Sequence, residues 1–370
     1  MRVLIAPDKF AGTLSASEAA EAIAVGWLKT APGDELDLCP VSDGGPGFID
    51  TLSAALPRSE LSVVTVSGPL GDTVPATILT DGDTAYIEVA QACGLHLLDE
   101  EHRDPTVTTS FGVGELIAQA VDSGVKKLVI GLGGSGTNDA GAGMLAALGA
   151  TADGPLDQGG LALAGVSTVD LEPVRERLSG VELVAASDVD NPLLGLTGAS
   201  KTYGKQKGAS DEDIMRLEGA LEMLVEAIGR RADGKQPAVA KGSGAAGGLG
   251  FSLLHLDSAQ VPGITTIMDI VHFDSRVSQA DLVITGEGLF DWQSLRGKVV
   301  SGVAAASMSQ ARPCVVLAGD VSVGRREYSQ IGISNAYSVA TIVGSLEESL
   351  EFSSRSLMAA SERIAKTWSR

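Results

Sequence analysis

Runs of four to six apolar residues, many of them β-branched, recur along the chain between stretches whose apolar positions return every three or four residues. A buried parallel strand reads as a continuous apolar run and its covering helix as an amphipathic one, so the alternation predicts an α/β fold. Strands are expected over 3–6, 35–41, 61–66, 84–89, 127–132, 181–186, 282–285 and 314–318. Helices are expected over 17–28, 114–121, 140–148, 211–228, 302–308 and 346–368. Ser210, followed by Asp211, Glu212 and Asp213, reads as the N-cap of the helix over 211–228, with the acids against its positive end. At 370 residues the chain exceeds the ~250–300 that one core organises, so two lobes are expected. Gly/Pro junctions at Ser67-Gly-Pro-Leu-Gly71 and Val261-Pro-Gly263 place one lobe at 67–263 and join 1–66 to 264–370 in the other.

Acids follow the predicted strand ends at Asp8, Asp43, Asp139 (across a glycine loop), Asp188, Asp190, Glu287 and Asp320. In open α/β sheets ligands bind beyond the carboxyl ends of the strands, so these acids are expected to share a cleft. Taken singly, Asp after a strand is also ordinary turn and cap chemistry.

The densest motif is "GLGGSGTNDAGAGM" at 131–144, six glycines in fourteen residues. "GLGGSG" satisfies the dinucleotide pattern, yet no second strand ending in an acid follows about 20 residues on. "GRRADGKQ" at 229–236 follows a helix and ends in glutamine, so it is not a nucleotide P-loop. Gly-Gly-Ser135-Gly-Thr falls one residue short of a nucleophile elbow. What the loop offers is a fan of backbone N–H groups and two hydroxyls at a helix entry, which suits a phosphate or a carboxylate. Asp139 would repel a bare anion but could hold Mg2+, and anion plus Mg2+ points to phosphoryl transfer. Further on, "ASDVDNP" sets Asp188 and Asp190 two apart, on one side of an extended chain, one for metal and one to accept a hydroxyl proton. "KTYGKQKG" supplies Lys201, Lys205 and Lys207.

Charge narrows the partners. Forty-seven acidic against 27 basic residues give a net −20, a poor match to nucleic acid or an anionic membrane. Three scattered cysteines and four histidines without ligand spacing exclude a disulfide framework and argue against zinc. The first apolar run is too short for a signal sequence and no run approaches ~20 residues, so a cytoplasmic protein is expected.

Seven stretches together resemble the bacterial glycerate kinases of the two-domain type that includes the galactarate-operon enzyme. They are "PDKFAGTLSA" (7–16), "SDGGPGF" (42–48), "GGSGTNDAGAGM" (133–144), "DVDNPLLGLTGAS" (188–200), "YGKQKGA" (203–209), "GSGAAGGLG" (242–250) and "TGEGLFDWQSLRGKVVSGVA" (285–304), in order and at matching spacing. The resemblance implies ATP- and Mg2+-dependent phosphorylation of D-glycerate, with 2-phosphoglycerate as the usual bacterial product. It also implies a Rossmann- or flavodoxin-like lobe from both chain ends, an inserted α/β lobe, and an active site in the cleft between them. On this reading Gly133, Gly134, Ser135, Thr137 and Asn138 cradle an anion, either nucleotide phosphate or glycerate carboxylate. Asp8, Lys9, Asp43, Gly44, Gly45, Gly286 and Arg296 are further binding residues. Asp139, Asp190 and Glu287 are the Mg2+ candidates. Asp190 or Asp188 is the expected base, with Asp291 a second candidate, and Lys207, Arg296 and Lys298 neutralise the transferred group. A homodimer is compatible with the tail helix.

Departures from the family pattern are Ala11 for lysine, Pro46 for glutamate, Phe48 for a small residue, Leu289-Phe290 for Arg-Leu and Val300 for proline. A lost charge-assisted hydrogen bond costs about 1.5–3 kcal/mol, ten- to a hundredfold in affinity. The alternatives are therefore a kinase for a related small hydroxy acid, or a weakly catalytic binding homologue.

Overall fold

Val3, Leu4 and Ile5 are fully buried: the strand Arg2–Ile5 has a parallel neighbour on each side, and Val3 and Ile5 pack in a core with residues of the helices Ala16–Thr30 and Ser353–Trp368. The computed structural model describes residues 1–10, 12–295 and 299–369. The chain is α/β throughout and divides into two compact units, one of Met1–Asp43, Asp50–Leu56 and Ile264–Arg370, the other of Gly44–Ile49 and Pro57–Gly263.

The first unit holds a five-stranded, wholly parallel sheet in the order Ile333–Ser338, Cys314–Ala318, Leu282–Thr285, Arg2–Ile5, Glu35–Leu38. Taken in chain sequence this is 2-1-3-4-5, a doubly wound sheet whose order reverses between Arg2–Ile5 and Leu282–Thr285. Helices Ala16–Thr30 and Ser353–Trp368 pack closely, because a Cβ at Gly26 would sit 2.1 Å from the Met358 carbonyl oxygen. Ser15 and Glu18 form a reciprocal capping box at the start of the first.

The second unit's sheet has six strands in the order Ala259–Val261, Glu182–Ala186, Lys127–Gly131, Thr84–Glu88, Thr73–Asp81, Glu60–Ser67. The last three form an antiparallel meander and the first four run parallel. The helix Asp211–Ile228 spans the expected residues, and its cap is a capping box in which Ser210 and Asp213 exchange hydrogen bonds. Among the described residues no helix is long and apolar enough to cross a membrane.

Where pattern and structure part, local chemistry explains it. The strand Thr73–Asp81 carries Pro75, which argues against a strand interior. Its neighbour Thr84–Glu88 pairs only with residues 78–81, so one side of Pro75 needs no ladder donor. Ile333–Ser338 reads as polar because it is a half-buried edge strand. The expected helix over 346–368 is two, Leu346–Glu351 and Ser353–Trp368, broken at Phe352 with φ −119° and ψ 46°.

Candidate active site

Glycine at 131–144 is required first by the protein's own backbone. A Cβ at Gly133 would lie 2.2 Å from Gly45 Cα, and Gly133 N–H donates to the Gly44 carbonyl at 3.1 Å. A Cβ at Gly143 would lie 2.2 Å from Thr109 Oγ1. On the far side, Ala246, Gly247 and Gly248 are all left-handed, and a Cβ at Gly247 would lie 1.9 Å from the Thr137 carbonyl oxygen. Three glycine loops thus nest within the second unit: 44–46, 131–141 and 244–250. The sequence expectation that these glycines exist to admit a ligand is corrected to that extent.

Two buried acids fix the nest. Asp139 is fully buried and accepts from Ser110 N (2.8 Å), Ser110 Oγ (2.7 Å), Gly141 N (3.0 Å) and Gly143 N (3.3 Å). Burial pushes its carboxyl up, against the pull of those donors. With both oxygens so engaged, the structure assigns Asp139 to holding the loop rather than to the Mg2+ role expected of it. Glu88, 4% exposed, accepts from Gly47 N at 3.1 Å and Ile49 N at 3.3 Å and holds the first loop. Sequence reasoning missed Glu88; its signal is an acid ending the apolar strand Thr84–Glu88.

What remains open in the nest is anion-binding in character. Gly136 N–H is spent on the Cys93 carbonyl at 2.7 Å. The amides of Gly134, Ser135, Thr137 and Asn138 donate to no acceptor among the described residues. Gly134 is exposed, but Ser135, Thr137 and Asn138 are buried, and buried amides are almost always satisfied, so these three mark a place for an acceptor. Asn138 is oriented by its Nδ2 donating to Ser200 Oγ at 2.8 Å, which brings in the start of the helix Ala199–Tyr203. Lys207 enters the same place. The turn Lys205–Lys207 leaves it 3% exposed, donating through Nζ to Ser135 Oγ at 3.0 Å and the Thr137 carbonyl at 2.7 Å. Among the described residues no carboxylate lies within 4 Å of that ammonium, whose third N–H is left over. Burial depresses its pKa to about 8, with Cys93 and Asp139 opposing. Lys201 and Lys205 are exposed, and Lys205 pairs with Asp211 at 2.9 Å, so the expected cationic cluster reduces to Lys207.

Asp188 and Asp190 are not equivalent: Val189 N–H between them donates to Ser187 Oγ at 3.2 Å, and the two acids differ in exposure. Asp188 is half-buried, two residues beyond Ala186, whose carbonyl accepts from Leu132 N–H. Asp190 is 79% exposed and pairs with Lys241 at 3.1 Å.

In the first unit, Asp8 N–H donates to the Gly286 carbonyl at 2.8 Å, joining two chain segments where the strand order reverses. Lys9 Nζ lies 3.7 Å from Asp43 Oδ1, and Glu287 is half-buried after its strand. Asp291 closes its own turn, Oδ1 accepting from Gln293 N at 2.8 Å and Ser294 N at 3.3 Å. Arg296, Lys298 and the Ala11 departure lie outside the described residues. Phe48, Phe290 and Val300 are core side chains, so these three departures alter packing rather than an exposed binding surface. Pro46 packs over Gly134, whose added Cβ would be 2.6 Å from Pro46 Cγ.

With this geometry in place, comparison with known proteins is specific. The profile of the glycerate kinase family matches residues 3–369. The glycerate kinase of Bacillus subtilis strain 168 is 40% identical, covering 99% of this chain and 99% of the relative. The glycerate 2-kinase of Escherichia coli K12 is also 40% identical, covering 99% of this chain and 98% of the relative. A crystal structure from Salmonella typhimurium LT2, described as a glycerate kinase 2, superposes with a TM-score of 0.81 at 36% identity, over 99% of this chain and 98% of that one.

Proposed function

The chain belongs to the glycerate kinase family and is a kinase, and on that premise we propose that it transfers the γ-phosphoryl group of ATP, carried with Mg2+, to the 2-hydroxyl of D-glycerate, giving 2-phosphoglycerate. The observation that carries the reading is Lys207: a buried ammonium with no carboxylate within 4 Å among the described residues, beside the open amides of the buried Ser135, Thr137 and Asn138. Such a site is costly until an anion completes it.

Ser135, Thr137, Asn138 and Lys207 hold the anion and neutralise charge as the phosphoryl group moves. Asp188, half-buried, takes the proton from the 2-hydroxyl; the oxygen then bonds to the γ-phosphorus as the bond to the leaving ADP oxygen breaks. Mg2+ would supply charge neutralisation on the phosphates. Its demand for one or two hard oxygen donors fits Glu287 by chemistry, does not fit the saturated Asp139, and at Asp190 must compete with Lys241.

The test supplies D-glycerate, ATP and Mg2+, follows ADP release, and identifies the product by phosphorus NMR. Phosphate on the 2-position is the expected result. A 3-phosphate corrects the acceptor atom, and no ADP release with any small hydroxy acid sinks the reading. Because the transition state is loose, the base contributes modestly. Asp188→Asn is expected to lower kcat about a hundredfold, the low end for a general base, whereas Asp190→Asn stays within about threefold. The reverse ranking would return the base to Asp190.

A further inference from the structure

The first unit contains a cavity of about 310 Å3 that nothing above uses. We propose that it receives the adenine ring of the phosphoryl donor, an inference that rests on the kinase reading. The first argument is position. Its lining comes from the carboxyl ends of four parallel strands: Phe10 after Arg2–Ile5, Gly288 and Leu289 after Leu282–Thr285, Asp320 after Cys314–Ala318, and Val339 after Ile333–Ser338. That edge is where doubly wound sheets hold ligands. The point of strand-order reversal, with Asp8, Lys9 and Glu287, lies along the same edge of the same unit. A base in the cavity directs its phosphates toward Lys9 and the Glu287 carboxylate that suits their metal ion.

The second argument is chemistry. The volume is at the low end of the ~300–1,000 Å3 of ligand pockets, enough for a base and its sugar and too small for a whole triphosphate. Its walls are mostly apolar. Phe10 offers a ring, Leu346 and Leu357 offer aliphatic surface, and Gly288 and Gly319 touch backbone to backbone without side chains. Only a few polar groups interrupt them, as a base requires. Asp320 Oδ1 is occupied by Val321 N at 2.8 Å and Ser338 Oγ at 3.0 Å, leaving one carboxylate oxygen to accept from an exocyclic amine. Ser349 is 5% exposed, and its hydroxyl meets no partner among the described residues. Adenine presents an amine and a ring nitrogen to such a pair. Guanine would set its carbonyl oxygen against the carboxylate, so adenine is favoured.

The experiment irradiates the full-length protein with 2-azidoadenosine diphosphate and maps the labelled peptides. Label within 346–357 or at Phe10, displaced by ATP and not by GTP, is expected. Label confined to other segments overturns the proposal. Independently, Ser349→Phe, which fills the cavity, is expected to raise KM for ATP at least tenfold while KM for the hydroxy acid holds. An unmoved KM for ATP in the folded variant also overturns it. Photolabelling needs no turnover, so the two readings fail separately. Correct labelling without ADP release keeps the base pocket and removes the acceptor, and turnover without labelling removes only the pocket.

Discussion

Asp139→Ala is expected to lower unfolding stability by about 3–5 kcal/mol and to abolish turnover. Four donors converge on that carboxylate, and three of them are backbone amides that have no other acceptor once it is gone. Each buried donor left unpaired costs about 1–3 kcal/mol, partly relieved by water entering the gap. The loss does not stay local, because the same residue orients Ser110, whose hydroxyl accepts from Met144 N–H at 3.1 Å, and so fixes the entry to helix Ala142–Ala147. Asp139→Asn should be nearly as harmful despite its shape, since its NH2 must face an N–H donor. Denaturant melts of both variants check this. The pH sign separates the effect from ordinary acid unfolding. Burial holds the folded carboxyl above its ordinary 3.8, so its favourable contribution is greatest below that value and is lost as pH rises through the folded pKa. Acid lability in this protein must come from other carboxylates. A variant that melts within 1 kcal/mol of the parent would show that the glycine nest stands without its central acid.

Asp139 also shows what the sequence could and could not disclose. The layers were legible because each element writes its own period: Leu282–Thr285 is a bare apolar run and buried throughout, and Asp211–Ile228 begins at its capping serine. Family membership was legible for a related reason, since seven short stretches keep order and spacing over the chain. The division of labour among the acids was not. Asp139, Asp188, Asp190 and Asp291 all follow strands or glycines, yet one is saturated by amides, one half-buried, one paired with a lysine and one spent on its own turn. Those fates depend on which distant loop packs where, and the partners Ser110 and Ser187 carry no distinguishing pattern. The glycines misled in the same manner. A glycine that admits Gly45 and a glycine that admits a phosphate look alike until the fold is known. The three lysines of 201–207 differ only by a short turn that sends the last one inward.

That inward turn sets the largest kinetic effect expected of a group that meets the anion directly. Lys207→Met is expected to lower kcat/KM by about 10²–10³, the range for deleting one preorganised donor to developing charge in a water-poor site. Methionine keeps the length and apolar stem and removes only the ammonium, so stability should hold or rise as a desolvated charge disappears. The parent enzyme's pH profile carries the sharper test. Lys207 in the free protein titrates at about 8, depressed by burial from its ordinary 10.5. If the charged form binds the anion, kcat/KM falls as pH rises through about 8, while kcat declines at higher pH because a bound anion stabilises the ammonium. Unfolding cannot imitate that limb. A lysine with a depressed folded pKa makes the unfolded state the stronger proton binder between about 8 and 10.5, so its contribution to stability rises across the window in which activity is lost. In Lys207→Met the alkaline limb near 8 should vanish with the rate. Retention of that limb in the variant, or a kcat/KM within threefold of the parent at pH 7, would transfer charge neutralisation to another cation and leave Lys207 a scaffold for the Ser135–Thr137 loop.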